Sequence, residues 1–162
     1  MSRLRAALLI IALVACGRPD AGGSSAEGSA TTGERARGEI KHDFAEELGV
    51  NLASMTRTAS GLYYRDLAAG RGLDARPGHV VVIRYTEWLP NGARVSGHDR
   101  LDFPLGGGRV IAGWEEGITG MRIGGRRQLV IPPHLAYGSR GRGEIPPNAT
   151  LIMDVELLEI RM

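Results

Sequence analysis

Leu151-Ile152-Met153-Asp154-Val155-Glu156-Leu157-Leu158-Glu159-Ile160 decides the fold. Side chains alternate across a strand, so Leu151, Met153, Val155 and Leu157 share one face while Asp154 and Glu156 take the other. An antiparallel sheet with one packed and one solvated face gives this pattern, and the apolar face must cover something. Working outward, strand-forming residues recur in Leu62-Tyr63-Tyr64-Arg65-Asp66-Leu67, from Val80 to Leu89 and from Arg126 to Ile131, with turn residues between them. One short stretch reads as helix, Ala112-Gly113-Trp114-Glu115-Glu116-Gly117-Ile118, and its glycines limit it to a few turns. The sequence therefore predicts an α+β domain, an antiparallel β-sheet wrapped on one short α-helix.

The other end of the chain follows different rules. Arg3 and Arg5 precede an apolar run, Ala6 to Leu13, too short for a bilayer core that needs ~20 residues, and this is the pattern of an export signal. Leu13-Val14-Ala15-Cys16 resembles the bacterial lipobox, in which the cysteine becomes diacylglyceryl-modified and then forms the new N-terminus. Three alternatives stand beside lipidation of Cys16: a small buried cysteine, an unpaired thiol left behind a cleaved signal, and a spanning helix. Each buried methylene of an acyl chain contributes ~0.8 kcal/mol, so several chains on one cysteine would hold the protein on the lipid bilayer. The expected location is the bacterial cell envelope, on the outer-membrane or periplasmic side of a Gram-negative cell, since Gly17 rather than Asp follows the cysteine.

Loss of residues 1–15 removes Arg3 and Arg5, bringing the 20 basic residues down to 18, equal to the 18 acidic ones. The remaining arginines are scattered or interleaved with acids, as in Glu34-Arg35, so no basic stripe for nucleic acid is present. His42, His79, His98 and His134 have neither a cysteine partner nor a tight ligand spacing, and neither a metal nor another cofactor is implied. Gly106-Gly107-Gly108-Arg109 lacks the Lys-Ser/Thr of a phosphate-binding loop and reads as a hairpin connection.

Four segments result. Residues 1–15 are the lipoprotein signal peptide. Residues 16–39 hold the lipidated cysteine and a Gly/Ser/Ala/Thr-rich tether without the apolar side chains to offset ordering entropy. Residues 40–59 are a lead-in of uncertain order, because Phe44, Leu48, Val50, Leu52 and Met55 follow neither a helical nor a strand period. Residues 60–162 form the folded domain.

Within that domain three motifs stand in order: Val110-Ile111-Ala112-Gly113-Trp114-Glu115-Glu116-Gly117, Leu135-Ala136-Tyr137-Gly138 and Ile145-Pro146-Pro147-Asn148-Ala149-Thr150-Leu151. With Pro77-Gly78, Ile83-Arg84-Tyr85-Thr86 and Asp154-Val155-Glu156-Leu157-Leu158, they give a chain that closely resembles the FKBP-type peptidyl-prolyl cis/trans isomerases over roughly its last hundred residues. The resemblance implies a strongly twisted antiparallel sheet around the helix. It implies Trp114 as the pocket floor, with Tyr85, Phe103, Val110, Ile111, Tyr137 and Ile145 around it. The Ile111 backbone N–H and the Tyr137 hydroxyl would donate to carbonyls of a bound peptide, so Tyr85, Ile111 and Tyr137 are the expected catalytic residues. Trp114 alone also reads as a core aromatic, and the two tyrosines as strand and loop residues.

Such chemistry needs no nucleophile. Rotation about a peptide C–N bond meets a barrier of ~18–20 kcal/mol, and a water-poor apolar slot with well-placed donors favours the twisted amide. The expected partners are proline-containing segments of exported client proteins, with macrolides of the FKBP type bound weakly.

Departures from the family pattern lie on the same wall. Val95-Ser96 stand where the family usually has Phe-Asp, and Leu101, Leu135 and Met153 where it has aromatics, so the family's pocket carboxylate is missing from its usual place. The loop Ser139-Arg140-Gly141-Arg142-Gly143 is also shorter and more basic. Three readings stay open: an active isomerase, a weak isomerase acting mainly as a chaperone-like binder of proline segments, and a structural lipoprotein reusing the fold.

Overall fold

Strand β4, Val80–Trp88, fixes where everything else sits. Val81, Ile83, Tyr85 and Glu87 are all buried while Arg84 between them is exposed, so the β-branched and aromatic residues line one face of the pleat. The computed structural model describes Ile40 and residues 43–162. The expected signal peptide, the lipidated Cys16 and the tether lie outside the described residues.

Around β4 the chain builds β1 Thr56–Arg57, β2 Tyr63–Ala68, β5 Arg94–Pro104, β7 Arg126–Ile131 and β8 Leu151–Arg161 into a six-stranded antiparallel sheet of order β1-β2-β7-β8-β4-β5. A second sheet pairs β3, Arg71–Asp74, with β6, Arg122–Ile123. The one α-helix among the described residues, α1 Ala112–Ile118, packs Trp114 and Ile118 into a cluster with Leu62, just ahead of β2, and with Ile83, Leu129, Met153 and Leu157 from the sheet. The expected α+β architecture is the observed one.

The helix glycines act differently from the expectation that they merely shorten it. A Cβ on Gly113 would stand inside the contact distance of Ile131, and one on Gly117 inside that of Leu129. One turn apart on the same helix face, the two glycines let the helix backbone lie directly on β7.

Three further differences have physical reasons. Strand β5 carries no clean alternation in Arg94-Val95-Ser96-Gly97-His98-Asp99-Arg100, because it is an edge strand in the sheet order and is mostly polar. Gly106–Arg109 is not a hairpin connection but the passage from β5 to α1, held by Glu115, whose carboxylate accepts from the N–H groups of Gly106 and Gly108. The sheet face expected to be solvated is partly covered: Ile152 of β8 and Val130 of β7 are fully buried beneath the lead-in.

That lead-in has local order despite its lack of period. Two three-residue 3-10 turns, Glu46–Leu48 and Leu52–Ser54, precede β1, and Asn51 Oδ1 caps the second by accepting from Ala53 N–H at 3.1 Å. Elements this short leave no periodic signature. Phe44, Leu48, Val50, Leu52 and Met55 pack on Val130 and Ile152. The buried Gln128 ties the segment down, donating from Nε2 to Leu48 O at 2.9 Å, and Arg65 donates to both Gln128 Oε1 and Gly49 O.

Candidate functional site

At the open end of the sheet, β4, β5, α1 and the long loop before β8 enclose a cavity of about 720 Å3. β4 delivers Tyr85 because its inward register places an aromatic directly after Val81 and Ile83. β5 delivers Val95 and Ser96 opposite the end of β4 and Leu101 and Phe103 farther along, the two halves separated by a bulge where Ile83 pairs with Leu101 but Tyr85 with His98. A bulge re-aims a strand, and here Asp99 and Arg100 occupy it. The close approach of α1 to β7 sets the depth of Trp114.

The Trp114 and Tyr85 rings meet edge to face, and the Phe103 ring is tilted against the indole. Trp114 and Tyr85 have ring centroids 4.5 Å apart at 67°, and Phe103 stands 6.2 Å from Trp114 at 46°. These are the separations at which aromatic quadrupoles attract. All three residues are buried, so the indole is both a core aromatic and a cavity wall, and the two readings of Trp114 hold together. Tyr85 Oη and Ser96 Oγ share a 3.0 Å hydrogen bond, which fixes the phenol ring against β5.

Ile111 caps the helix, its carbonyl accepting from Trp114 N–H at 2.9 Å and from Glu115 N–H at 3.3 Å. Its own N–H has no partner among the described residues, and Ile111 lines the cavity. Tyr137 is half-buried with the Arg142 guanidinium 5.6 Å from its ring centroid, and burial pushes its hydroxyl above the ordinary tyrosine range, keeping it a donor at neutral pH. Reciprocal backbone hydrogen bonds of 2.9 Å between Arg142 and Ile145 close the loop and present Ile145 to the cavity.

Of the residues singled out in the sequence, Tyr85, Val95, Ser96, Leu101 and Phe103 come together here with Val110, Ile111, Trp114, Tyr137 and Ile145. Two do not line the cavity. Met153 is fully buried in the core cluster behind the site, because β8 lies one strand further into the sheet, and Leu135 is packed against that cluster in a 3-10 turn.

The sequence reading missed one residue with chemical consequence. Glu87 is 2% exposed and lines the cavity, directly across from Ser96. Burial pushes its carboxyl up to about 7, and the Trp114 indole N–H, which favours the ionised form, offsets this only in part. The signal was present: Glu87 continues the inward series Val81, Ile83, Tyr85, where a charged side chain is out of pattern. A carboxyl group is thus in the pocket, though not where the family pattern would have it. His98, Asp102, Arg109 and Glu144 supply polar rim positions.

The family model described as FKBP-type peptidyl-prolyl cis-trans isomerase matches residues 72–158. The FK506-binding protein of Neisseria meningitidis serogroup B is 48% identical over 105 residues, which cover 62% of this chain and 96% of that protein. FK506-binding protein 4 of Gibberella zeae is 44% identical over 112 residues, 67% of this chain but 23% of that protein. The chain thus spans about a quarter of the length of such fungal relatives. The crystal structure of FkpA from Escherichia coli superposes with a TM-score of 0.64 at 38% identity, over 72% of this chain and 55% of that one.

Proposed function

This chain belongs to the FKBP-type peptidyl-prolyl cis-trans isomerase family, and from that premise we propose that it accelerates rotation about X–Pro bonds in the cavity walled by Trp114. The observation that carries the reading is the pairing of a buried aromatic wall, Trp114 with Tyr85 and Phe103, with two donors at the same cavity, the Ile111 N–H and the Tyr137 hydroxyl.

The apolar wall takes the proline ring out of water, where a planar amide with its separated charge is less favoured than in bulk solvent. The Ile111 N–H and the Tyr137 hydroxyl hold the flanking carbonyls while the bond between them twists, so binding energy goes to the rotated geometry. No covalent intermediate and no proton transfer are required. Val95 in place of an aromatic gives up apolar contact at ~25 cal/mol per Å2, and this supports modest turnover and weak macrolide binding.

A refolding assay limited by proline isomerisation tests the reading. Acceleration by sub-stoichiometric protein is the expected result. Slowed aggregation of the refolding chain without acceleration would favour a chaperone-like binder of proline segments instead.

The proposed setting is the bacterial cell envelope, with exported proteins as clients and the lipid bilayer held through acyl chains on Cys16. Leu13-Val14-Ala15-Cys16 supports it, together with the short apolar run before that motif. Mass spectrometry of the mature N-terminus should find acylated Cys16, and Cys16→Ser should move the protein from the membrane fraction to the soluble one. Unchanged membrane association of that variant would defeat the lipid anchor.

A further inference from the structure

Glu87 Oε1 and Trp114 Nε1 are both buried, both at the cavity, and neither has a hydrogen bond of normal geometry. Buried polar atoms are nearly always paired, and exceptions gather where a ligand or a proton is to be handled. The polar group directly across the strand pair, Ser96 Oγ, bonds Tyr85 Oη, and no hydrogen bond joins it to Glu87 among the described residues. Glu87 forms no ion pair among the described residues, so no cation compensates its charge.

We infer that Glu87 is a binding residue of the prolyl site, its carboxyl group admitting the proline ring when neutral and opposing it when ionised. This rests on the reading of the cavity as a prolyl site.

The physical argument is desolvation. An apolar ring in the cavity lowers the polarity of the space that the carboxyl group lines, and a less polar surrounding disfavours the charged form. In the free protein burial has already pushed this carboxyl up to about 7, so both forms are populated near neutral pH. Binding and protonation are then linked, and the apparent affinity falls with the fraction of protein in the neutral form. Glu87 does not twist the amide. It controls whether the ring is seated, so its effect belongs in KM rather than kcat.

Other titratable and charged groups face the same space. Tyr85 stands on its own strand, His98 and Asp102 on β5, Arg109 ahead of the helix, and Tyr137, Arg142 and Glu144 in the loop before β8, while α1 contributes the uncharged Trp114. Burial pushes the Tyr137 hydroxyl up, and the charge of Glu87 pushes it the same way, so ionised Glu87 strengthens its hold on that proton. His98 packs 5.7 Å from the Tyr85 ring.

The experiment measures KM and kcat for a short X–Pro peptide between about pH 5.5 and pH 8.5 with the full chain and with Glu87→Gln, Glu87→Leu and His98→Asn. The wild type and His98→Asn should show KM rising roughly fivefold between about pH 7 and pH 8, with kcat level. Glu87→Gln and Glu87→Leu, neutral at every pH, should lose that rise, and either one suffices if the other does not fold. Turnover with parallel KM profiles in the wild type and a folded Glu87 variant overturns the inference alone. A rise that disappears in His98→Asn overturns it as well. Absence of turnover at every pH overturns the prolyl-site reading together with it.

Discussion

The raised carboxyl of Glu87 makes a demand on stability that is separate from its demand on binding. Its ordinary value is 4.5 and in the folded protein it is held at about 7. Between those values the folded state keeps a proton that the unfolded chain has released, so stability falls as pH rises. The contribution is fully present below about pH 4.5 and is lost as pH climbs through about 7. Each pKa unit corresponds to ~1.4 kcal/mol, so the full loss is on the order of 3 kcal/mol. Other groups slope the wild-type profile too. Burial raises Asp154 in the same direction, whereas Arg76 and Arg161 hold Asp74 and Glu159 below the usual range and act the opposite way. Comparison with Glu87→Gln cancels all of these. Urea unfolding at about pH 5 and about pH 8.5 should show the variant gaining on the wild type by a few kcal/mol at the higher pH. Equal pH slopes in two folded proteins would mean that Glu87 is solvated or paired, and the desolvation argument would fail.

Gly117→Ala should lower the urea midpoint, because overpacking against Leu129 costs ~1–3 kcal/mol and outweighs the ~1 kcal/mol helix-propensity gain; a raised midpoint would mean that the helix does not press on β7. A chain starting at Ser60 should still unfold cooperatively, since the main core cluster contains no residue from 40–59, but at a lower midpoint, because Val130 and Ile152 lose their cover and Gln128 its Leu48 carbonyl. An unchanged midpoint would show that the lead-in contributes nothing to stability.

How legible the protein was depended on how each residue advertises its role. β4, β7 and β8 showed themselves because the inward positions are β-branched or large and aliphatic, and a period of two survives in any strand with one packed face. The helix was found for its isolation among strands, but the work of Gly113 and Gly117 was hidden, because a close approach is a relation between two elements distant in sequence. β5 was missed for the reason edge strands usually are: with a ladder on one side and solvent on the other it need not alternate. The lead-in escaped because three-residue turns are shorter than any period. At the site, ten of the expected residues line one cavity, while Met153 lies in the core cluster behind it and Leu135 packs against that cluster. Glu87 is the instructive miss. Ser96 stands where a carboxylate is lacking, while a carboxyl group lies directly across the strand pair, visible in the sequence only as a charged residue in an apolar register.

The claim that the cavity around Trp114 is where X–Pro bonds turn is tested most directly by exchange NMR of a short X–Pro peptide, with cis and trans signals resolved and the protein present in sub-stoichiometric amount. The wild type should drive exchange between the two signals on a timescale far shorter than the tens of seconds of the uncatalysed bond. Tyr137→Phe should slow that exchange several-fold, as loss of one net hydrogen bond of ~0.5–1.5 kcal/mol requires, and Trp114→Ala should slow it further by removing the wall. Exchange driven equally well by the wild type and by both folded variants would place the chemistry elsewhere on the molecule and contradict the account.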